Sequence, residues 1–538
     1  MTRAALVATA LGVLACTPAP LLIGNEPSGS GGGEGSDSAS TGGEGDADAP
    51  VVWFVDVVRG ATVGGPDDLG VPITIFGHGF GDAPGSVTIG GVEVARVLAW
   101  GEPAASGAET IVVQPGSQVQ GGAVVVHTAG GDSNDDAHFT AGPHAVYFVA
   151  QGGDDAAACD EAAPCATILH VVTEVMQPGD MVLLSAGDHD EGEIWIRDAL
   201  GHSGTADAPK VIRGAPGETV RLIDVSRPFI VEAQGITISG LDFTSGKELH
   251  LGSADARAVT VMGCRFGGVV GFEAVTIAAQ QVLFGANACA VAGTTAADGN
   301  GHCVAVRSPA DAVALLHNAL TSAQENVIQI YDANPGATIG TVRVEANLVA
   351  GSRAGSGISL GSAGDGASIG DVDIANNVIT GNAHIGVSVD GAAGTQLGVA
   401  RLWANTIAAN GRQGLRVGAA ATAAGIDVRG NLLLQDGAGT CDDTECDLLT
   451  VAEVEIEAGA SPVVAGNFYA DGEATIIGGT DADARAGSIT FGQDAEDPWR
   501  PAADAACVDT AAAIEVATDF DGRARPQGGG YDFGAFER

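Results

Sequence analysis

A short phrase that recurs nine times constrains this chain more than any other feature of its sequence. Between residues 236 and 469 it reads ITISGL, VTVMGC, VLFGAN, VALLHN, VRVEAN, VDIANN, ARLWAN, IDVRGN and PVVAGN. Its last residues are Leu241, Cys264, Asn287, Asn318, Asn347, Asn377, Asn405, Asn431 and Asn467, at spacings of 23 to 36 residues. A repeat of this length with alternating apolar residues predicts a solenoid in which each repeat forms one coil.

The asparagine that ends seven of these phrases is the second informative feature. In a stack of parallel strands, equivalent residues of successive coils lie about 4.8 Å apart. Each asparagine amide can then donate to and accept from the amides above and below it, while tolerating the bent backbone. We therefore predict a structural ladder made of Asn287, Asn318, Asn347, Asn377, Asn405, Asn431 and Asn467.

A second alternating segment follows the asparagine after a loop of small residues, as in IQIYDA, ISLGSA, VSVDGA and LRVGAA. Each coil therefore carries at least two strands joined by Gly- and Ala-rich corners. The period and the asparagine turn resemble the right-handed parallel β-helix repeats of the pectate-lyase-like superfamily. This resemblance implies an all-β fold, with a right-handed parallel β-helix over residues 145–538.

The charge of the chain limits its partners. The formal net charge is −44, and only two of the 538 residues are lysines. Such a surface repels nucleic-acid backbones and anionic membrane faces, so we expect no nucleic-acid partner. It also repels polyuronates unless a divalent cation intervenes.

Residues 1–16 have the pattern of a secretory signal peptide, in which Arg3 precedes an apolar run that ends at Cys16. The ending VLAC resembles a bacterial lipobox, which implies that Cys16 is lipidated; the alternative is an ordinary signal peptide with an incidental cysteine. Residues 17–50, rich in Gly, Ser and acidic side chains, are predicted to be a disordered linker. We therefore expect an exported protein, held by a lipid anchor at the bacterial outer membrane or cell surface.

Two further segments flank the repeats. Residues 51–142 contain short strands with turn signals, and GVPITIFGHGFG followed by VTIGGVEVARV resembles an IPT/TIG domain, a small immunoglobulin-like β-sandwich. Ile168, Val172, Val175 and Met176 share a helical face, which predicts a helix that caps the open end of the solenoid. The last residues, DFDGRARPQGGGYDFGAFE, resemble the closing segment of bacterial β-helix surface proteins.

Eight cysteines remain after the candidate lipid-bearing Cys16, an even number in an exported protein. The pairs close enough for local disulfides are Cys159 with Cys165, Cys441 with Cys446, and Cys289 with Cys303. Cys264 and Cys507 are predicted to be buried thiols.

The candidate site follows from the resemblance, because enzymes of this fold bind oligosaccharides along the strand that follows the asparagine turn. Its outward residues here are Arg307, Gln329, Tyr331, Ser359, Ser388, Asp390 and Arg416, with Asp332 at a corner. β-Elimination needs a base and a cation that neutralises the uronate. Arg307 and Arg416 are the candidate catalytic bases, and Tyr331, Asp332 and Asp390 are candidate ligand-binding residues.

Two other groups are candidates for the same chemistry. Trp403 is predicted to face outward and could stack on a sugar ring, and Lys247 with His250 nearby is a second candidate base. Solvated faces of a structural solenoid would show the same residues, and no dense Asp cluster with calcium spacing is present.

Three functions therefore stay open. The first is non-catalytic binding of extracellular glycan, or adhesion, by a protein attached to the membrane through its lipid. The second is a Ca²⁺-dependent lyase that acts on acidic polysaccharide. Its metal ligands cannot be assigned from the sequence. The third is a structural surface spacer.

Overall fold

The computed structural model describes the greater part of the chain after residue 48. The described residues are 49–224, 228–270, 273–293, 301–362, 364, 366–390, 395–418, 422–434, 436, 451–470, 475–491 and 498–538. Cys16 and the pair Cys441 and Cys446 lie outside them. Within these ranges no helix is long and apolar enough to cross a membrane.

The first strands form two facing sheets. Four antiparallel strands make one sheet: Val51–Val55, Ile73–His78, Glu109–Gln114 and Arg96–Pro103. The other sheet contains Arg59–Gly60, His138–Ala141, Gly121–Thr128, Gly131–Asp132, Ser86–Ile89 and Val92–Glu93. Alternate side chains such as Val52, Ile75, Val87 and Val124 are buried between the sheets, as a half-buried strand requires. The immunoglobulin-like assignment of this sandwich stays a prediction.

The rest of the described chain is built from three parallel sheets, whose strands come from successive coils and form a right-handed parallel β-helix. The first sheet contains Val146–Val149, Met181–Leu184, Lys210–Gly214, Gln234–Ser239, Arg257–Met262, Gln280–Gly285, Asp311–Leu316, Thr338–Ile339, Val342–Glu345, Ser368–Ile369, Val372–Ala375, Gln396–Trp403, Thr422–Arg429 and Val463–Ala465. The second contains Gly187–His189, Val220–Leu222, Asp242–Phe243, Arg265–Val270, Ala288–Gly293, Ala319–Thr321, Leu348–Ala350, Val378–Thr380, Thr406–Ala408, Leu432–Leu434, Phe468–Ala470 and Arg485–Gly487. The third contains Ile194–Arg197, Phe229–Glu232, Leu249–Leu251, Glu273–Ile277, His302–Val306, Ile328–Asp332, Ile358–Ser362, Ile385–Val389, Gln413–Val417, Ala452–Ile456 and Ile476–Ile477. The all-β, parallel β-helical prediction is confirmed.

The repeated asparagines lie between the first and second sheets and form one continuous hydrogen-bonded column. Nδ2 of each asparagine from Asn287 to Asn431 donates to Oδ1 of the next, at 2.8 to 3.2 Å, and its backbone N–H donates to the same oxygen. The column ends where Asn467 Nδ2 donates to Asp481 Oδ2 at 2.8 Å. All seven side chains are at most 2% exposed. Because their amides are paired, this burial leaves no orphaned polar group in the column.

The bend itself is made by the residue before each asparagine. Those residues have left-handed φ, between 51° and 66°, and are Ala286, His317, Ala346, Asn376, Ala404, Gly430 and Gly466. Asparagine was expected to tolerate this bend, but it supplies the amide while its predecessor supplies the strained dihedral. Gly430 and Gly466 fit this need best, because a residue without Cβ adopts left-handed φ at little cost.

A second, shorter amide column lies between the second and third sheets, five residues after the first. Asn382 Nδ2 donates to Asn410 Oδ1, and Asn410 Nδ2 donates to Asp436 Oδ1, both at 2.9 Å. A Cβ at Gly386 would lie 2.8 Å from Asn410 Nδ2, and one at Gly414 would lie 2.4 Å from Asp436 Oδ2. The column therefore needs glycine at the start of the neighbouring third-sheet strand.

The N-terminal end of the solenoid is closed by a short helix. One α-helical turn, Ile168–His170, is capped by the Thr167 side chain and continues as a π-helix, Val171–Val175. Ile168, Val171, Val172 and Met176 enter the solenoid core, whereas Val175 is partly exposed. The wider π turn moves the buried face by one residue from the α-helical expectation.

The predicted cysteine chemistry is confirmed where the structure describes it. Cys159 is bonded to Cys165 and Cys289 to Cys303, while Cys264 and Cys507 are buried free thiols. Burial raises the pKa of the Cys264 thiol to about 12, so this group is chemically inert at neutral pH.

The sandwich packs against the outward face of the first sheet. Asp56 pairs with Arg213 at 3.3 Å and accepts a hydrogen bond from Ser239 Oγ at 2.6 Å, all of them buried. Farther along the solenoid, Trp53 stacks on His317 with ring centroids 3.8 Å apart. These contacts remove one face of the solenoid from solvent.

Residues 498–538 cover the outward face of the later coils of the second sheet. Phe533 packs near Phe468 of the solenoid, and Phe536 packs against Val378. Arg525 pairs with Glu537 at 2.7 Å, both side chains fully buried, and donates to Asn376 Oδ1 at 3.0 Å. The arginine of the Arg-Pro dipeptide and the glutamate near the end of the closing segment thus form one buried ion pair.

Candidate functional site

The third sheet presents a face that, among the described residues, neither the sandwich nor the closing segment contacts. Strand register places its outward residues in two rows that run along the solenoid. The first row contains Thr276, Ala305, Gln329, Ser359, Ser388, Arg416 and Glu455. The second row contains Arg307, Tyr331, Gly361, Asp390, Gly418 and Glu457, by strand pairing and by the backbone hydrogen bonds that continue it. The open face is hereafter the third-sheet face.

One charged cluster surrounds Arg307 on this face. Its Nη2 donates to Glu273 Oε1 at 2.6 Å, and its Nη1 donates to the Tyr331 carbonyl at 2.8 Å. The guanidinium carbon lies 5.8 Å from the centroid of the Tyr331 ring, at the outer limit of a cation–π contact. A guanidinium held by a carboxylate stays protonated, so Arg307 is suited to positioning rather than to accepting a proton.

A second charged cluster surrounds Arg416. Its Nη1 donates to Asp390 Oδ2 at 2.8 Å, and its Nη2 pairs with Glu457. Gln413 Nε2 donates to Glu455 Oε2 at 2.5 Å beside it. Three carboxylates thus accompany one cation, so the cluster is net negative.

The two arginines do not converge on one catalytic centre. Ala305 and Arg416 are separated by four strand steps in the first row, which is about 19 Å at the usual strand spacing. The two candidate bases therefore lie on the same face but too far apart to act in one reaction centre.

Asp332 has a structural position. It is 6% exposed, and its Oδ2 accepts the Ser308 N–H at 3.0 Å while its Oδ1 accepts both the N–H and the Nδ2 of Asn334 at 2.8 Å. These bonds fix the corner after the strand, as an Asx turn does. The corner position was predicted, but these contacts leave the carboxylate poorly placed to receive a ligand.

Trp403 lies on a different sheet from the other candidates. It ends the strand Gln396–Trp403 of the first sheet, where it pairs with Ala375 and Arg429. Arg401 is held by Asp373 at 2.8 Å, with its guanidinium carbon 5.9 Å from the Trp403 ring. Trp403 therefore cannot share a ligand with Tyr331 on the third-sheet face.

Lys247 is buried instead of facing a groove. Its side chain is 1% exposed, and Nζ donates to the carbonyls of Gly192 at 2.5 Å and Ile223 at 3.2 Å. Lys210, the other lysine, is 2% exposed and donates to the carbonyl of Val172 at 2.8 Å. Burial lowers the pKa of both ammonium groups, but their carbonyl partners give them structural positions, so the second-base hypothesis for Lys247 is not supported.

Sequence reasoning named Asp390, but it missed Glu273, the acidic partner of Arg307, and the glutamates beside Arg416. Glu455 and Glu457 stand in the alternating stretch AEVEIEAG, whose period of two would have placed them on the outward face. Glu273 follows a coil that lacks the terminal asparagine, so its register was not evident.

A buried acidic pair closes the shorter amide column. Asp436 occupies the place that Asn382 and Asn410 hold in earlier coils, next to the carboxyl group of Glu453. Burial and then the charge of Glu453 raise the pKa of Asp436 well above its usual range, and burial also raises that of Glu453. The proximity of two carboxyl groups in a buried site thus disfavours ionisation of the pair.

Metal ligands are not gathered on the third-sheet face within the described ranges. Elsewhere in the described ranges, one group has metal-ligand spacing and lies next to the capping helix. It consists of Cys159, Cys165 and His170. Because its two cysteines form a disulfide, it offers no thiolate. The Ca²⁺ dependence expected for a lyase stays a prediction.

Together, the three sheets and the open third face define a right-handed parallel β-helix protein. No protein-family model matches the sequence, and no curated protein matches it. Solved structures do align. Pectate lyase Pel9A does so with 13% identity and a TM-score of 0.45, over 73% of this chain and 96% of its own.

Two further solved structures align with lower TM-scores. XylC in complex with xylose aligns at 9% identity with a TM-score of 0.36, over 73% of this chain and 98% of its own. The A-module of the mannuronan C-5 epimerase AlgE4 from Azotobacter vinelandii aligns at 15% identity with a TM-score of 0.31, over 58% and 87%. These similarities concern the fold.

Proposed function

We propose that this protein is a lipid-anchored β-helix protein of the cell surface, which binds an extracellular glycan on the third-sheet face without catalysing a reaction. The observation that carries the proposal is the distribution of coverage. Among the described residues, the chain's own sandwich covers the earlier coils of the first sheet and its closing segment covers the later coils of the second, while neither contacts the third-sheet face, which carries an aromatic ring, hydroxyls and paired charges.

The groups on this face are of the kind that sugars use. Tyr331 is partly exposed and can stack on the apolar side of a pyranose, as aromatic rings do on flat apolar partners. Ser359 lies beside Gln329 in the strand register, and Gly361 beside Tyr331 leaves room above the sheet. A planar ring next to hydroxyl and amide groups matches the alternating apolar and polar surfaces of a polysaccharide.

The pairing and the separation of the two arginines also favour a binding protein over a lyase. A lyase base must be able to lose its proton and must lie within hydrogen-bond reach of the substrate proton. Arg307 and Arg416 are each held by carboxylates, and about 19 Å of sheet separates their strands. The lipid anchor and tether would hold this face away from the membrane.

A glycan array probed with the full mature chain tests the proposal. We expect binding to at least one polysaccharide, weakened by Tyr331→Ala. The matched control is Arg221→Ala, which removes an exposed arginine paired with Asp188 on the second sheet and should leave binding unchanged. Equal loss in both variants, or no binding by the wild type, would contradict the proposal. An unsaturated uronate product in a parallel lyase assay with Ca²⁺ would replace it with the enzymatic alternative.

A further inference from the structure

Both arginines of the third-sheet face are already paired with carboxylates of the protein itself. Arg307 is neutralised by Glu273 at 2.6 Å, and Arg416 lies between Asp390 and Glu457. At the near end of the sheet, Glu232 accepts a hydrogen bond from Trp195 Nε1 at 2.8 Å. A uronate carboxylate that approached either arginine would have to displace a carboxylate fixed by the fold.

The uncharged groups between the Arg307 and Arg416 clusters, by contrast, lack hydrogen-bond partners within the described part of the protein. Gln329, Ser359 and Ser388 are direct neighbours in the strand register, on three successive coils. Across the residues that the structure describes, neither serine hydroxyl makes a hydrogen bond, although Ser388 is only 8% exposed, and Gln329 Oε1 is shielded from solvent without a partner, so a ligand would reach this amide only after its side chain turns. Tyr331 lies beside this stretch, in the second row, two residues after Gln329 on the same strand. Hydrogen-bonding capacity on this face therefore resides in neutral groups.

From this contrast we infer that the ligand of the third-sheet face is an uncharged polysaccharide, recognised by Gln329, Ser359, Ser388 and the ring of Tyr331. The inference rests on the proposed function, since it names the class of glycan bound at the same site. A neutral polymer hydrogen-bonds to hydroxyl and amide groups without paying for the separation of an internal ion pair. The formal net charge of −44 further disfavours a polyanion.

The charge balance also predicts how the preference can be altered. Glu273 is the carboxylate that pairs with Arg307, and within the described part of the chain the other partner of that guanidinium is the Tyr331 carbonyl. Glu273→Gln therefore leaves Arg307 as an uncompensated cation on the face. We expect this variant to gain affinity for polygalacturonate by about fivefold, the size of one partly exposed ion pair.

Affinity electrophoresis and isothermal titration of the full mature chain against a polymer panel test the inference. The panel contains xylan, galactomannan and mixed-linkage glucan as neutral polymers, polygalacturonate and alginate as acidic ones, and chitosan as a cationic one. We expect a neutral polymer to bind best, with a dissociation constant that stays constant between about 0.05 and about 0.5 M NaCl. Tyr331→Ala should weaken that binding about tenfold, with Arg221→Ala as control.

The possible results separate this inference from the proposed function. Tighter binding of an acidic or cationic polymer, or affinity that falls steeply with salt, would overturn the neutral class while leaving a glycan-binding face. Binding of neutral polymer that Glu273→Gln redirects toward polygalacturonate would support both. Absence of binding to every polymer would end both proposals.

Discussion

Replacing Asn377 by alanine should measure what the main asparagine column contributes. The Asn377 side chain makes four hydrogen bonds. Its Oδ1 accepts the N–H and the Nδ2 of Asn347 at 2.9 and 3.0 Å, and its Nδ2 donates to the Val344 carbonyl and to Asn405 Oδ1, both at 2.9 Å. All of these groups are buried.

The magnitude follows from which groups lose their partner. Asn347 Nδ2 keeps the Leu315 and Glu345 carbonyls, and Asn405 Oδ1 keeps the backbone N–H of residue 377. Two groups are left without their side-chain partner, the Asn347 N–H and the Val344 carbonyl. At about 1–3 kcal/mol for each buried unsatisfied group, Asn377→Ala should lower the free energy of unfolding by about 2–6 kcal/mol.

Urea unfolding followed by circular dichroism gives the global value, and hydrogen exchange at the coils of residues 342–350 and 400–408 gives the local one. The matched control is Asn334→Ala, an exposed turn amide of the same solenoid that gives up a single hydrogen bond to Asp332, for which we expect a loss of about 1 kcal/mol or less. A loss no larger for Asn377→Ala than for this control would refute the assignment of the column as a stabilising ladder.

Three further predictions concern pH and localisation. Burial lowers the pKa of His317 to about 3, so stability should fall as pH drops below about 6.5, where the unfolded chain binds the proton first. His317→Asn, which keeps a residue tolerant of left-handed φ, should reduce the loss between pH 7.5 and pH 5 by about 2 kcal/mol, and an unchanged pH profile in thermal melts would count against it. Burial raises the pKa of Asp436, so the free energy of unfolding should fall as pH rises above about 4, where the carboxyl group ionises in the unfolded chain first. Asp436→Asn keeps the oxygen that accepts from Asn410 and should make this fall smaller. Urea midpoints measured from about pH 5 to about pH 9 test the difference. Cys16→Ser should move the protein from the membrane to the soluble fraction, and continued sedimentation with membranes would argue against a lipid anchor.

Local periodicity accounts for what could be predicted from the sequence. The alternation of apolar residues and the recurring asparagine specify strands and their register, because each coil repeats the same contacts with its neighbours. The shorter column was also readable in principle, since Asn382, Asn410 and Asp436 each follow a ladder asparagine by five residues. It was missed because its first equivalents are Ala323 and Ser352.

Contacts between distant segments account for what could not be predicted. No pattern near Trp53 indicates that it stacks on His317, because that contact depends on the complementary shapes of two separately folded surfaces. The outward position of Arg307 and Arg416 followed from the register, but their carboxylate partners depend on side-chain directions that a strand pattern does not encode.

The burial of both lysines has a chemical consequence for the whole molecule. Lys210 and Lys247 are the only lysines in the sequence, and each ammonium group is enclosed and bonded to backbone carbonyls. The folded protein therefore presents no lysine amine to reagents that acylate, glycate or form imines. Its exposed positive charge is carried by arginine, so tryptic cleavage of the native surface should occur after arginine alone, and aldehyde fixation should leave the folded solenoid without lysine cross-links.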